Sequence, residues 1–475
     1  MAFYGRKREL TILDSLYKRG GGQLFVLYGR RRVGKTVLIN HWLTTRGHRS
    51  IFWTADRTSA ATQLRLFSQA VQSFIEPAQV IPDDFTYATW EFALNEVARR
   101  ASQERLVVVL DEFTYLLESD PSLASILQRL WDHRLKNSNV LLILTGSHAG
   151  MIERDVLAYR APLYNRATQS VHLQPLPFGE LSAFFPKYTI EERVKIYGLL
   201  GGVPQYFELF DPDLNIEENL QKLLTSSMIL DDAGALLRDQ LSEPRNYVAI
   251  IEAIAAGYTR LTEIALMAGL EHTNVSRYLS TLQRLGIVER QVPATIHRPE
   301  QSKQGRYQIS DPYLRYYYRF IAPNRTTLER GFTQQAWANI KQHLSEFIGT
   351  YAFEELCREW VLRKGDAGEL PFVPRRIGAY WGGKGPQVDV VAMNEDAHAI
   401  LLGECKWQGE TVGRGTVRAL VEKAPKVVPG SMDRWTLYYA FFSKSGFTEE
   451  ARREMAGKKT FWIDLADLDR ALREE

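Results

Sequence analysis

The segment Phe25-Val-Leu-Tyr-Gly-Arg-Arg-Arg-Val-Gly-Lys-Thr36 constrains this chain more than any other. An apolar run enters Gly29-x4-Gly34-Lys35-Thr36, and a helical pattern follows. Strand, glycine-containing loop and helix in that order make a phosphate cradle. The backbone of Gly29, Arg30, Arg31, Arg32, Val33 and Gly34 supplies N–H groups, and the helix adds the positive end of its dipole. Lys35 is placed to reach the β- and γ-phosphates of ATP, and the Thr36 hydroxyl to ligate Mg²⁺.

A second element stands where such a cradle needs one. Leu106-Val-Val-Val-Leu-Asp-Glu-Phe113 is an apolar run ending in two carboxylates. Such a run suits a strand buried on both faces of a parallel sheet, with ligands binding at its C-terminal end. Asp111 is expected to hold Mg²⁺ through water, and Glu112 to orient or deprotonate an attacking water. That second acid favours an ATPase over a small-molecule kinase, which does not need a water-activating Glu beside the metal Asp.

Strand-like runs at 23–28, 50–54, 106–110 and 140–145, with helical patterns between them, predict a doubly wound parallel α/β sheet. Past the fourth run, Ser147 and His148 could meet a γ-phosphate or cap the next helix. Arg166 precedes a short strand and is the candidate for an arginine acting on the γ-phosphate, in cis or in trans. At 475 residues the chain has room for roughly three domains. Its net charge of +3 is near balance, so any basic surface must be local. Two cysteines, Cys357 and Cys405, are too few for a disulfide framework and point to a reducing cytoplasm. No apolar stretch is long enough for a bilayer, so no membrane partner is expected.

Phe3-Tyr-Gly-Arg-Lys-Arg-Glu-Leu10, the glycine loop, Leu-Asp-Glu-Phe, Gly146-Ser147 and Gly201-Gly-Val-Pro204 together resemble the archaeal-type ATPases, a branch near the AAA+ and STAND P-loop proteins. The resemblance covers roughly the first half of the chain. It implies that the N-terminal box lines an adenine pocket and that Gly201–Pro204 lies in a helical lid. The resulting division is an ATPase core at 1–175, a lid at 176–240, a winged helix at 241–325 and a tail at 326–475.

The winged helix rests on its own pattern. Apolar helices at 248–256 and 263–268 are separated by a short connection, and Gly269 supplies the next turn. A third helix, from about Thr273, carries Val275, Tyr278, Leu279, Leu282 and Leu285 on one face. Arg277, Ser280, Thr281 and Arg284 form the opposite stripe, suited either to a DNA groove or to plain solvation. Runs at 287–291 and 306–309 then form a wing, with local basic charge between them. The aromatic stretch 311–321 reads as a packed junction, and 322–327 as a linker.

In the tail, an amphipathic helix at 353–361 precedes three strand-like runs carrying Asp389, then Glu404 and Lys406 on one strand face. Two acids can hold Mg²⁺, which generates a nucleophilic water, and the lysine can position that water or neutralise developing charge. The set resembles the PD-(D/E)XK nuclease fold and the C-terminal domain that accompanies archaeal-type ATPases. The resemblance implies an early helical acid, matched by Glu354 with Glu355 as runner-up. Val388 stands where that pattern has Pro.

These features predict an ATP- and Mg²⁺-dependent protein with DNA as partner, a metal-dependent nuclease-like tail, and subunit assembly as one way for an arginine to complete a neighbouring site. The alternatives are a nucleotide-gated DNA-binding regulator with an inactive tail, and a signalling NTPase whose tail binds protein.

Overall fold

A computed structural model describes residues 3–241, 244–383, 385–409 and 411–473. The chain separates into two compact units, residues 1–175 with 203–205, and residues 176–202 with 206–475.

The first unit is built on five parallel strands, β1 (Gln23–Tyr28), β2 (Ser50–Thr54), β3 (Leu106–Asp111), β4 (Val140–Gly146) and β5 (Gln169–His172). They lie in the order β2-β3-β4-β1-β5. Every residue of β3 and β4 is buried, as continuous apolar runs require. Along β1, Leu24 and Val26 join one hydrophobic cluster while Phe25 and Leu27 join another. Alternation thus gives the sheet two covered faces. Because β1, β3 and β4 are adjacent and parallel, their C-terminal ends meet at one edge, and the loop 29–34 leaves from that edge.

The second unit takes in the segments expected as lid, winged helix and tail, except residues 203–205, which group with the first unit. Its first long helix, Ile190–Leu200, starts with a reciprocal Thr189–Glu192 capping box. Gly202 follows, and a Cβ there would lie 1.7 Å from the Leu176 carbonyl oxygen, so only glycine fits. Three helices, Pro244–Ala255, Leu261–Ala268 and His272–Arg284, precede an antiparallel pair, β6 (Val288–Gln291) and β7 (Arg306–Ile309). The aromatic stretch is buried, as its density suggests: Tyr313, Tyr316 and Phe320 are at most 4% exposed.

The expected linker at 322–327 is instead part of a helix, Ala322–Glu329. Pro323 sits just past the π-helical segment Tyr317–Ile321, from which this helix continues without a break. Arg325 ties the helix down through Asp231 and the Leu230 carbonyl, and pairs with Glu329 one turn on.

The tail forms a mixed sheet of β8 (Arg376–Trp381), β9 (Gln387–Asn394), β10 (Ala399–Lys406), β11 (Thr436–Ser443) and β12 (Thr460–Asp464), ordered β12-β11-β10-β9-β8. β8, β9 and β10 run antiparallel in succession, whereas β10, β11 and β12 are parallel. The helix Glu354–Asp366 precedes this sheet, and Arg414–Val427 makes the crossover from β10 to β11.

Candidate functional site

In the first unit, Lys35 and Thr36 open the helix Lys35–Arg46, whose N-cap Gly34 has φ +97°. Lys35 is 4% exposed and its Nζ donates to the carbonyls of Gly29 (3.0 Å) and Arg30 (3.2 Å) and to Ser147 Oγ (2.8 Å). Burial lowers the Lys35 pKa against the opposing pull of Glu112 and Asp111, with Arg31 adding to the lowering. An anion in the loop would relieve that strain on the ammonium. Arg31 is exposed and Arg32 sits at φ +70°. Val33 is fully buried, and its carbonyl accepts from Arg6 Nη2 at 3.0 Å, joining the N-terminal box to the loop.

Asp111 is 2% exposed and held by three hydroxyls. Thr36 Oγ1 donates to its Oδ2 at 3.0 Å, Thr54 Oγ1 to the same oxygen at 3.3 Å, and Thr145 Oγ1 to its Oδ1. A hydroxyl and a carboxylate in contact are hard oxygen donors of the kind Mg²⁺ takes. Glu112 stands at φ +52°, a conformation costly for a side chain other than glycine and characteristic of functional positions. Its carboxylate accepts from the Ser147 N–H (3.1 Å) and Ser147 Oγ (2.5 Å). Ser147 therefore touches both Lys35 and Glu112. His148 pairs with Glu118 at 3.4 Å.

Arg166 lies elsewhere in its interactions. It forks onto Asp132, with Nη2–Oδ2 at 2.7 Å, and also donates to the Pro162 and Tyr164 carbonyls. These bonds staple its own loop, and an approach to a phosphate requires Asp132 to release it.

In the second unit, the fold brings Glu354, Asp389, Glu404 and Lys406 together where the start of β9 meets the end of β10. Glu354 arrives from the helix Glu354–Asp366 and Lys423 from the helix Arg414–Val427. Glu354 begins its helix and takes Arg358 Nη1 at 3.5 Å, while the same nitrogen donates to the Asp389 carbonyl at 3.0 Å. Asp389 Oδ2 accepts the Cys405 N–H at 2.9 Å. Burial, then the neighbouring Asp389, raises the pKa of Glu354; burial, then Glu404, raises that of Asp389. Glu404 is gripped by two ammonium groups, Lys406 (2.8 Å) and Lys423 (3.0 Å). Burial works against the Lys406 charge, but Glu404 and Asp389 outweigh it and its pKa is raised. Glu355 turns away to Arg315 (3.1 Å) and Gln308. Among the described residues, no group of three or more His, Cys, Asp or Glu side chains is arranged to hold a metal ion.

Several of these partners were not legible in the sequence. Thr54, Thr145 and Lys423 reach their carboxylates only through tertiary packing. Arg358 carried a faint signal, four residues after Glu354 on one helix face. On the helix His272–Arg284, Arg277, Ser280 and Arg284 are exposed and Thr281 is half-buried, while Val275, Leu279 and Leu282 are buried. No described helix is long and apolar enough to cross a membrane.

Residues 3–210 match the model of an ATPase domain predominantly from Archaea. Residues 246–292 match the IclR helix-turn-helix domain, and 317–417 match a family of archaeal and bacterial proteins of unknown function. An uncharacterized protein of Methanocaldococcus jannaschii is 31% identical over 446 residues, covering 93% of this chain and 95% of its own length. Among solved structures, Cdc6p from Pyrobaculum aerophilum aligns over 69% of this chain and 94% of its own, at 13% identity and a TM-score of 0.31. The Drosophila ORC bound to DNA aligns over 67% and 87%, at 13% identity and a TM-score of 0.33.

Proposed function

We propose, for a chain that belongs to one family with its Methanocaldococcus jannaschii relative and carries the ATPase domain found predominantly in Archaea, that ATP occupancy at Lys35 governs a DNA-directed activity of the second unit. The observation that carries this reading is the connected set Lys35–Ser147–Glu112, set beside Thr36–Asp111. Lys35 and the loop N–H groups bind the triphosphate. Thr36 and Asp111 fit Mg²⁺, which supplies charge neutralisation at the phosphates. Glu112 accepts a proton from, or orients, the attacking water, and Ser147 sets the direction of its carboxylate.

The helix-turn-helix stripe supports DNA as partner, through Arg277 and Arg284 on an exposed face. The order helix, three antiparallel strands, crossover helix, parallel strand supports a nuclease-like reading of the tail, with Asp389 and Glu404 as metal-binding acids and Lys406 beside them. Glu354 is the helical acid of that set. The finding that favours the second reading, a regulator without nuclease activity, is Glu404 clamped between Lys406 and Lys423. Plasmid cleavage with Mg²⁺ or Mn²⁺ separates the two. Cleavage by the parent that is lost in Asp389→Ala supports the nuclease. Absence of cleavage in both supports the regulator.

A further inference from the structure

The wing does not project freely. Its loop is fastened along the edge strand β8: the Ala294 N–H donates to the Ala379 carbonyl (2.9 Å), Arg376 Nη1 to the Ile296 carbonyl (2.6 Å), and Trp381 Nε1 to the Gln304 carbonyl (3.1 Å). Between the fastened wing, the start of the helix Leu261–Ala268 and the end of β8 lies a cavity of about 620 Å³. That volume falls within the range of small-ligand pockets, about 300–1,000 Å³.

Its lining is strongly basic. Arg260, His272, Arg290, Lys303 and Arg306 border it, with Trp381 as one wall, and no described carboxylate lines it. Glu263 is the nearby acid: it accepts the Arg260 N–H at 3.2 Å, stands 3.9 Å from the Arg260 guanidinium and acts on Arg306, but is not among the residues that line the cavity. The basic groups are positioned by the fold. Arg290 is fixed by the Pro299 and Ser302 carbonyls, and the Arg306 guanidinium lies 4.6 Å from the centre of the Trp381 ring. Burial, then the nearby Arg260, depresses the Arg306 pKa, with Glu263 pulling the other way, so the half-buried guanidinium keeps its charge at a cost that an anion would offset.

Strand register connects this cavity to the acids of the tail. Trp381 pairs with Gln387, two residues before Asp389, and the β8–β9 register slips between Tyr380 and Gly378, opposite the segment that carries Asp389. The Trp381 wall thus stands on the strand next to the one that carries Asp389.

We propose that this cavity is a binding site for the phosphate of a nucleotide unit, delivered within a nucleic acid strand or as a free nucleotide. Arg260 and Lys303 supply exposed charge at its mouth, and Arg290 and Arg306 supply fixed donors inside. The site is separate from the exposed stripe of Arg277 and Arg284. It rests on the reading above only for the strand as source.

The test uses the full chain carrying Lys35→Ala, so that nucleotide at the glycine loop does not contribute. Fluorescence anisotropy measures a 3′-labelled, 5′-phosphorylated hexathymidylate, with unlabelled thymidine monophosphate as competitor. The substitutions are Lys303→Glu and Arg260→Gln, with Arg277→Gln/Arg284→Gln as comparison on duplex DNA, and thermal melting checks folding. Removing one charged donor weakens the probe about tenfold or more, and the salt dependence becomes shallower. Displacement by the monophosphate assigns the free nucleotide as a ligand; retention of the probe assigns the strand. Undiminished binding in both Lys303→Glu and Arg260→Gln, or no binding by the parent to either probe, overturns the proposal. Loss of duplex binding in the stripe variant alone leaves the DNA reading standing while the cavity falls, and the reverse pattern does the opposite.

Discussion

Ser147 illustrates how much one small side chain can organise. It receives the Lys35 ammonium at 2.8 Å and gives both its N–H and its hydroxyl to Glu112. Ser147→Ala should cut ATP turnover at least tenfold, since Glu112 loses its orienting hydroxyl, while Lys35 still holds nucleotide. Steady-state hydrolysis beside a nucleotide-binding titration checks this; an unchanged turnover rate would remove Ser147 from the mechanism. Glu112→Gln should keep ATP bound and block its hydrolysis, read by the same pair of assays. At Asp389 the consequence concerns stability. Its pKa is raised by burial and by Glu404, so the folded state holds that proton to higher pH than the unfolded chain does. Stability from this group is present below the ordinary carboxylate range and is lost as pH rises through the raised value. Asp389→Asn should therefore raise the melting temperature more at pH 8 than at pH 4 when metal is absent. An equal shift at both pH values would contradict the raised pKa.

At the level of elements, the parallel core was readable because β1, β3 and β4 are continuous apolar runs and the loop between strand and helix has fixed chemistry. The helix His272–Arg284 was readable for a similar reason, with its buried residues at helical spacing. What escaped was set by contacts distant in sequence. The helix Ala322–Glu329 looks like a linker locally and is held by Asp231 and Leu230 from far upstream. Nothing local shows that the wing is strapped to β8. Arg166 illustrates the same limit, since Asp132 lies 34 residues before it. Packing at Gly202 gives a prediction at this scale. Gly202→Ala forces a methyl into the Leu176 carbonyl, so the backbone must move. A loss of about 2–4 kcal/mol in urea unfolding is expected, in the range of overpacked or strained sites. A loss under 0.5 kcal/mol would mean that the backbone yields easily there.

Over the whole molecule, the second unit is tied end to end by a buried ion pair. Arg193, in the helix Ile190–Leu200, forks onto Asp469 of the last helix at 2.9 and 3.1 Å, and both side chains are under 10% exposed. Breaking it by Arg193→Met leaves Asp469 paired with Arg473 but without the fork, and should cost about 1.5–3 kcal/mol. The double variant Arg193→Met/Asp469→Leu should recover most of the loss in the same denaturation experiment, because the buried carboxylate is removed and Arg473, which also pairs with it, is half-exposed and can be solvated. Equal losses in both variants would assign the effect to packing. The event proposed for the first unit is nucleotide binding at the loop that carries Lys35. That event is the centre of the account, and calorimetric titration with ATP in the presence of Mg²⁺ measures it directly. The account predicts saturable heat for the parent chain and none for Lys35→Ala. No heat from the parent, or equal binding by Lys35→Ala, would contradict it.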